Sequence, residues 1–138
     1  MERVNLRYDY LFVYGTLRRD INSETYHLLA PYGIFMGGAT IQGKLYMVDY
    51  YPGLVPSNTP QDVVYGEVYK LSCPDTVLSR LDDYEECSSK FPESAKYARC
   101  KQDVKLKNGG VISAWVYIFK RPTAGLQLIE SGDFLKKN

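Results

Sequence analysis

The strongest constraint on the fold lies in the last third of the chain. Tyr97 to Leu106, then Asn108-Gly109, then Gly110 to Lys120 reads as one long β-hairpin. Asn-Gly favours a type I′ turn, because both central positions of that turn need positive φ. The second arm, Val111-Ile112-Ser113-Ala114-Trp115-Val116-Tyr117-Ile118-Phe119, has the β-branched and aromatic content of a central strand. On the first arm, alternation puts Tyr97 and Arg99 on one face. Ala98, Cys100, Val104 and Leu106 take the other face if the register holds across Gln102. The segment from Arg121 to Gly125 ends the hairpin. A tail from Leu126 to Leu135 follows, and Leu128, Ile129 and Phe134 are expected to pin it to the body.

The elements before the hairpin are shorter. Residues 1–9 read as a polar lead-in. Tyr10 to Tyr14 is a short apolar run before Gly15, the pattern of a buried strand. Asn22 and Ser23 are N-cap residues for a short helix carrying Tyr26, Leu28 and Leu29, which Pro31 and Gly33 stop. Gly37-Gly38 marks a bend or bulge. From Ala39, the residues Ala39, Ile41, Gly43, Leu45 and Met47 alternate with Thr40, Gln42, Lys44 and Tyr46, which is a strand with one buried face. Residues 49–60 read as a loop stiffened by three prolines and centred on Tyr50-Tyr51-Pro52-Gly53-Leu54-Val55-Pro56, packing as a fixed wall. Val63 to Leu71 is a strand, apolar on both faces apart from Glu67 and Lys70. Ser72-Cys73-Pro74-Asp75 is a helix start: a capping serine, then proline and an acid in the first turn. Val77, Leu78, Leu81 and Tyr84 follow at helical spacing. Residues 88–94 read as a loop around Pro92. This order predicts an α+β fold, a small and mostly antiparallel curled sheet with two short helices. The length of 138 residues suits one domain, 1–138.

Composition excludes several function classes. A net charge of +1 leaves no electrostatic reason to expect nucleic acid or a membrane surface as partner. No apolar run approaches the span of a bilayer. Nothing at the N-terminus reads as a signal peptide, which makes the cytoplasm the default compartment. Cys73, Cys87 and Cys100 are widely spaced and odd in number, which argues against a metal set or a disulfide framework and for reduced thiols in or near the core. Thirteen tyrosines fit a β-rich chain or a cavity with wettable walls.

Two stretches offer chemistry. In Leu11-Phe12-Val13-Tyr14-Gly15-Thr16-Leu17-Arg18-Arg19, a buried strand breaks at a glycine, and the next backbone N–H groups are delivered to one spot. Successive unpaired amides bind anions. The second stretch is Asp82-Asp83-Tyr84-Glu85-Glu86, whose bland reading is a solvated helix end. At about 100° per residue, the arc of Val77, Leu78, Leu81 and Tyr84 is centred near Leu81. Glu85, four residues on, falls at its edge, while Asp82, Asp83 and Glu86 fall outside. Two readings of Glu85 stand. Held against apolar walls, its pKa would be raised toward that of a general acid or base; alternatively it is a partly buried acid paired with Arg99 or another cation. Arg99 and Tyr117 are candidate pocket residues, with an exposed strand arginine as the plainer reading of Arg99. His27 is the only histidine and belongs to no nucleophile motif, so it reads as a surface or helix-packing residue. Asn108-Gly109-Gly110 is a turn and not a phosphate loop, since no lysine-serine pair or helix follows it.

Six pieces in one order now carry a family likeness: Val13-Tyr14-Gly15-Thr16-Leu17; Tyr51-Pro52-Gly53-Leu54-Val55-Pro56; Val64-Tyr65-Gly66-Glu67-Val68-Tyr69; Leu81-Asp82-Asp83-Tyr84-Glu85; Tyr97-Ala98-Arg99; and Ile129-Glu130-Ser131-Gly132-Asp133-Phe134. The chain resembles the gamma-glutamylcyclotransferase-like proteins, the group that includes gamma-glutamylamine cyclotransferase, and its last third is most similar to small bacterial members. The resemblance implies a small α+β barrel or roll with a cavity. It also implies that the backbone amides of Tyr14, Gly15, Thr16 and Leu17 hold the α-carboxylate of a γ-glutamyl group, with Glu85 as the catalytic acid. The implied reaction is intramolecular attack of the substrate's α-amine on its γ-amide carbonyl, releasing 5-oxoproline and an amine without cofactor or metal. Many members have glycine after the glutamate where this chain has Glu86. A binding protein with the same pocket and no turnover is the alternative.

Overall fold

The computed structural model describes residues 9–15, 27, 29–48, 51–84 and 96–136, with the backbone alone at 83 and 84. Seven strands are present in this range: β1 (Asp9–Val13), β2 (Gly33–Val48), β3 (Tyr51–Pro56), β4 (Val63–Leu71), β5 (Tyr97–Leu106), β6 (Val111–Phe119) and β7 (Gln127–Leu128). One α-helix, α1 (Pro74–Tyr84), lies between β4 and β5, and a 3₁₀ turn, Phe134–Lys136, lies near the end. The first expected helix falls mostly outside the described residues; within it His27 and Leu29 are helical, and Leu29 is buried.

The strands run in the order β1-β4-β2-β3-β6-β5, and β6 returns to pair with β1. Strands β1, β4, β2, β3 and β6 therefore close into a barrel; β5 pairs with β6 and, through Leu106 and Lys105, with β2, adding Val104 to the interior, and β7 lies on β2. The ladders are antiparallel except for two parallel contacts, Leu11 with Trp115 and Leu54 with Ile118. Period-two alternation then sorts every strand into two faces. Phe12, Ile41, Leu45, Leu54, Val64, Val68, Ala114, Val116 and Ile118 fill the interior. Leu11, Val13, Tyr69, Leu71, Tyr117 and Phe119 point outward. Left bare, that outer face would be a large apolar patch. Helix α1 covers it with Val77, Leu78 and Leu81, all three nearly inaccessible. Each such burial stabilises by about 1.5–3 kcal/mol.

Several expectations hold in detail. β4 spans Val63 to Leu71 as expected, the register across Gln102 is continuous, and the chain bulges between Phe35 and Gly37, where φ is 125°. Others need correction. Residues 51–56 are not loop but strand, because Pro52 sits opposite Met47 and its missing N–H leaves the pairing with β2 intact. The Ser72 hydroxyl does not cap α1; it donates to the Tyr32 carbonyl, and the helix starts after Cys73 at φ 49°. The hairpin turn is not type I′, since only Gly109 has positive φ. The Gly109 N–H donates to the Leu106 carbonyl and the Leu106 N–H to the Gly110 carbonyl, the pattern of a three-residue loop with a bulge. Ile129 and Phe134 do pin the tail, but Leu128 is exposed on β7, and Cys73 is exposed and not near the core.

A closed ring this small leaves little room inside. A Cβ on Gly66 would lie 2.3 Å from the Val13 carbonyl oxygen and 2.6 Å from Phe12 Cζ, so backbone and core would both have to move. Gly66→Ala is expected to cost about 2–3 kcal/mol, read as a lower urea midpoint with unchanged slope. Gly38→Ala is the control. There a Cβ meets nothing closer than 3.9 Å, and the change should stay within about 0.5 kcal/mol.

Candidate functional site

The barrel brings the glycine turn after β1 and the end of α1 to one place. Val13 faces Glu67 across the β1–β4 ladder. The parallel pairing of Leu11 with Trp115, carried two residues on, sets Val13 level with Tyr117. The turn that follows Val13 is thus flanked by β4 on one side and β6 on the other. Tyr14 is buried, and its hydroxyl donates to the Tyr117 carbonyl while accepting from the Leu54 N–H at 3.3 Å. One phenol so joins the end of β1 to β6 and to β3. Gly15 is buried against Pro52: a Cβ there would approach Pro52 Cγ to 2.7 Å. Pro52 is in turn fixed by its carbonyl, which accepts from the Tyr97 hydroxyl at 3.0 Å. Glycine is required here by close approach and not by φ. Thr16, Leu17, Arg18 and Arg19 lie outside the described residues, so the expected anion cradle is placed only as far as Tyr14 and Gly15.

The last turn of α1 holds an acid that helix counting placed outside the inward arc. Asp82 is 22% exposed and is gripped at both oxygens by Arg99, Nε to Oδ1 at 2.7 Å and Nη2 to Oδ2 at 3.0 Å. The Tyr117 hydroxyl donates to Oδ1 at 2.8 Å. Arg99, read from the sequence as a partner for Glu85 or as an exposed strand arginine, is paired with Asp82. Glu85 and Glu86 lie outside the described residues. A paired charge of this kind is favourable at a helix end: α1 has no basic residue in its last turn, and a bare carboxylate there would oppose the helix dipole. Arg99 from β5 supplies the missing positive charge.

Arg99 is itself backed by an aromatic face. Its Cζ lies 4.4 Å from the Trp115 ring centroid, and Lys101 Nζ lies 5.0 Å from the same ring. The indole N–H donates to Asp9 at 3.3 Å, and Lys101 reaches Asp9 at 4.0 Å. Glu67 is the other buried acid, 5% exposed, with the Tyr69 hydroxyl donating to it at 3.3 Å. Its sequence signal was its position as one of two polar residues in an otherwise apolar strand. Asp82 had no such signal, because its partners come from strands beyond the helix. His27 is exposed, Cys100 is half-buried, and Cys87 is outside the described residues. Among the described residues no three His, Cys, Asp or Glu side chains converge as metal ligands, and no helix is long and apolar enough to cross a membrane.

Comparison with known proteins gives this arrangement a context. The family model described as gamma-glutamyl cyclotransferase, AIG2-like, matches residues 11–136. The chain is 35% identical over 129 residues to the gamma-glutamylcyclotransferase family protein YtfP of Escherichia coli, covering 93% of this chain and 97% of that one. The solution structure of YtfP matches with a TM-score of 0.61 over 92% of this chain and 96% of that one. The gamma-L-glutamyl-butirosin B gamma-glutamyl cyclotransferase of Niallia circulans is 34% identical over 114 residues, 80% of this chain and 67% of that one. A crystal structure of an AIG2-like protein from Mus musculus matches with a TM-score of 0.65 at 25% identity, over 84% of this chain and 81% of that one.

The bidentate pair makes a measurable claim. In a double-mutant cycle of Asp82→Asn and Arg99→Met, each single change should destabilise. The double mutant should recover a coupling of about 1–2 kcal/mol, since each single variant strands a half-buried partner. Urea unfolding followed by fluorescence of Trp115, the sole tryptophan, measures it; additive losses would contradict the geometry.

Proposed function

Because the chain belongs to the gamma-glutamyl cyclotransferase, AIG2-like family, we propose that it cyclises γ-glutamyl compounds, releasing 5-oxoproline and a free amine. The supporting observation is that two separate stretches, Tyr14-Gly15 after β1 and Asp82 at the end of α1, meet through Tyr117. A reaction that must hold a carboxylate and move a proton within one small substrate needs two such groups side by side.

In this reading the backbone amides of Tyr14, Gly15, Thr16 and Leu17 bind the substrate's α-carboxylate. The α-amine attacks the γ-amide carbonyl, so the lactam C–N bond forms as the original amide C–N bond breaks. The two protons that the ammonium loses leave on the departing amine. Glu85, three residues after Asp82, relays them as general base and then general acid. Nucleophile and electrophile are already joined, so the protein's main task is to fold the substrate into attack geometry. Nothing in these steps calls for a cofactor or a metal, and the substrate is a small molecule handled within one domain, 1–138, in the cytoplasm.

Incubation with γ-glutamyl-ε-lysine, γ-glutamyl amino acids and glutathione, read by mass spectrometry, should show 5-oxoproline from at least one of them. Glu85→Gln should lower kcat by about 100-fold or more. Gly15→Ala, which drives a methyl into Pro52, should raise KM by about tenfold or more. Absence of 5-oxoproline from every compound, with binding retained, would sink the enzyme reading and leave a binding protein.

A further inference from the structure

One residue touches both halves of the site. The Tyr117 carbonyl accepts from the Tyr14 hydroxyl, and the Tyr117 side-chain hydroxyl donates to Asp82 Oδ1 at 2.8 Å. Its ring is 3% exposed and packs in the cluster under α1. A phenylalanine would fill that space equally well, so packing alone gives no reason for the hydroxyl. A buried phenol needs a polar partner, and here the partner is the one carboxylate that is already fixed from the other side.

That fixture is rigid for three reasons. Asp82 receives three donors, two from the planar Arg99 fork and one from Tyr117, which leaves its carboxylate a single orientation. Arg99 lies against the Trp115 ring at 4.4 Å, which blocks its swing. Trp115 is in turn held by Asp9 at the start of β1. The chain of contacts leaves the helix end, crosses β5 and β6, and returns to β1 at both of its ends. Three residues of chain, at most about 11 Å of extended backbone, separate Asp82 from Glu85.

We propose that Tyr117 is a positioning residue of this site, tying the end of α1 to the Gly15 turn, with Asp82 and Arg99 as its anchor on the helix side. The role rests on the cyclotransferase reading for its chemical meaning. In that reading the helix end that leads to Glu85 must stay fixed relative to the carboxylate-binding turn, and Tyr117 ties Asp82 at that end to Tyr14. Removing the Tyr117 hydroxyl leaves substrate binding at the turn intact and loosens only the helix side.

The test uses Tyr117→Phe in the full chain with two readouts. In steady-state kinetics on whichever γ-glutamyl compound the wild type turns over, kcat should fall about tenfold while KM stays within about twofold. Arg99→Lys, which loses the fork but keeps the charge, should give the same split. Tyr117→Phe added to Asp82→Ala should cost nothing further. In hydrogen exchange by mass spectrometry, without substrate, amides at 79–84 should exchange about tenfold faster in Tyr117→Phe, as expected for a lost bond to a charged group. Wild-type kcat in Tyr117→Phe, or a loss spread over kcat, KM and thermal stability alike, would overturn the proposal. So would unchanged exchange at the helix end. If the wild type itself forms no 5-oxoproline, it is the cyclotransferase reading that fails, and the exchange result decides the coupling alone.

Discussion

The parallel contact between β1 and β6 is the constraint on which the rest depends. It turns an open sheet into a closed ring of five strands. Closure removes the unpaired ring edges that would otherwise invite pairing with other chains. It also gives every strand an inside and an outside, so that alternation in the sequence becomes a division between a barrel core and a face for α1 to cover. The same contact sets the level of Tyr117 beside Val13. Without it, the turn at Gly15 and the end of α1 would have no common support.

Small rings impose their own demands on composition. The interior accepts Val, Ala and Gly at many positions and admits Phe12 only because Gly66 stands across from it. Gly15 plays the matching role at the site, where the chain passes hard against Pro52. Both glycines are needed for space; the sequence marked Gly15 as a strand break, but the close approach that requires glycine there shows only in the fold. Polar groups buried in or against this ring find partners: Tyr14 backbone on two strands, Asp82 both Arg99 and Tyr117, and Asp9 the Trp115 indole. This is the usual condition for burying them at tolerable cost.

Period-two and helical spacing made most of the fold legible. They located β1, β4, the hairpin arms and the apolar stripe of α1, and the quoted motifs pointed to the family. What stayed hidden was decided between elements. Pro52 and Gly53 look like loop residues, and their strand pairing exists because β2 is long enough to receive them. Asp82 looks solvated on a helical wheel, and only β5 and β6 reveal its partners. The Asn-Gly pair signalled the right hairpin and the wrong turn, because the bulge allows Asn108 an ordinary φ while Gly109 alone turns left. For the site, Gly15 and Arg99 were legible as candidates, but the link between their strands was not.

Closure also orders events in time. Leu11 and Trp115, the residues that seal the ring, lie near opposite ends of the chain. The hairpins β2–β3 and β5–β6 join neighbours in sequence and close over short loops, whereas the sealing contact must gather almost the whole chain first. During synthesis β1 emerges among the first segments and β6 among the last. The strand that leads into Gly15 therefore cannot complete its pairing until the hairpin arm has been made.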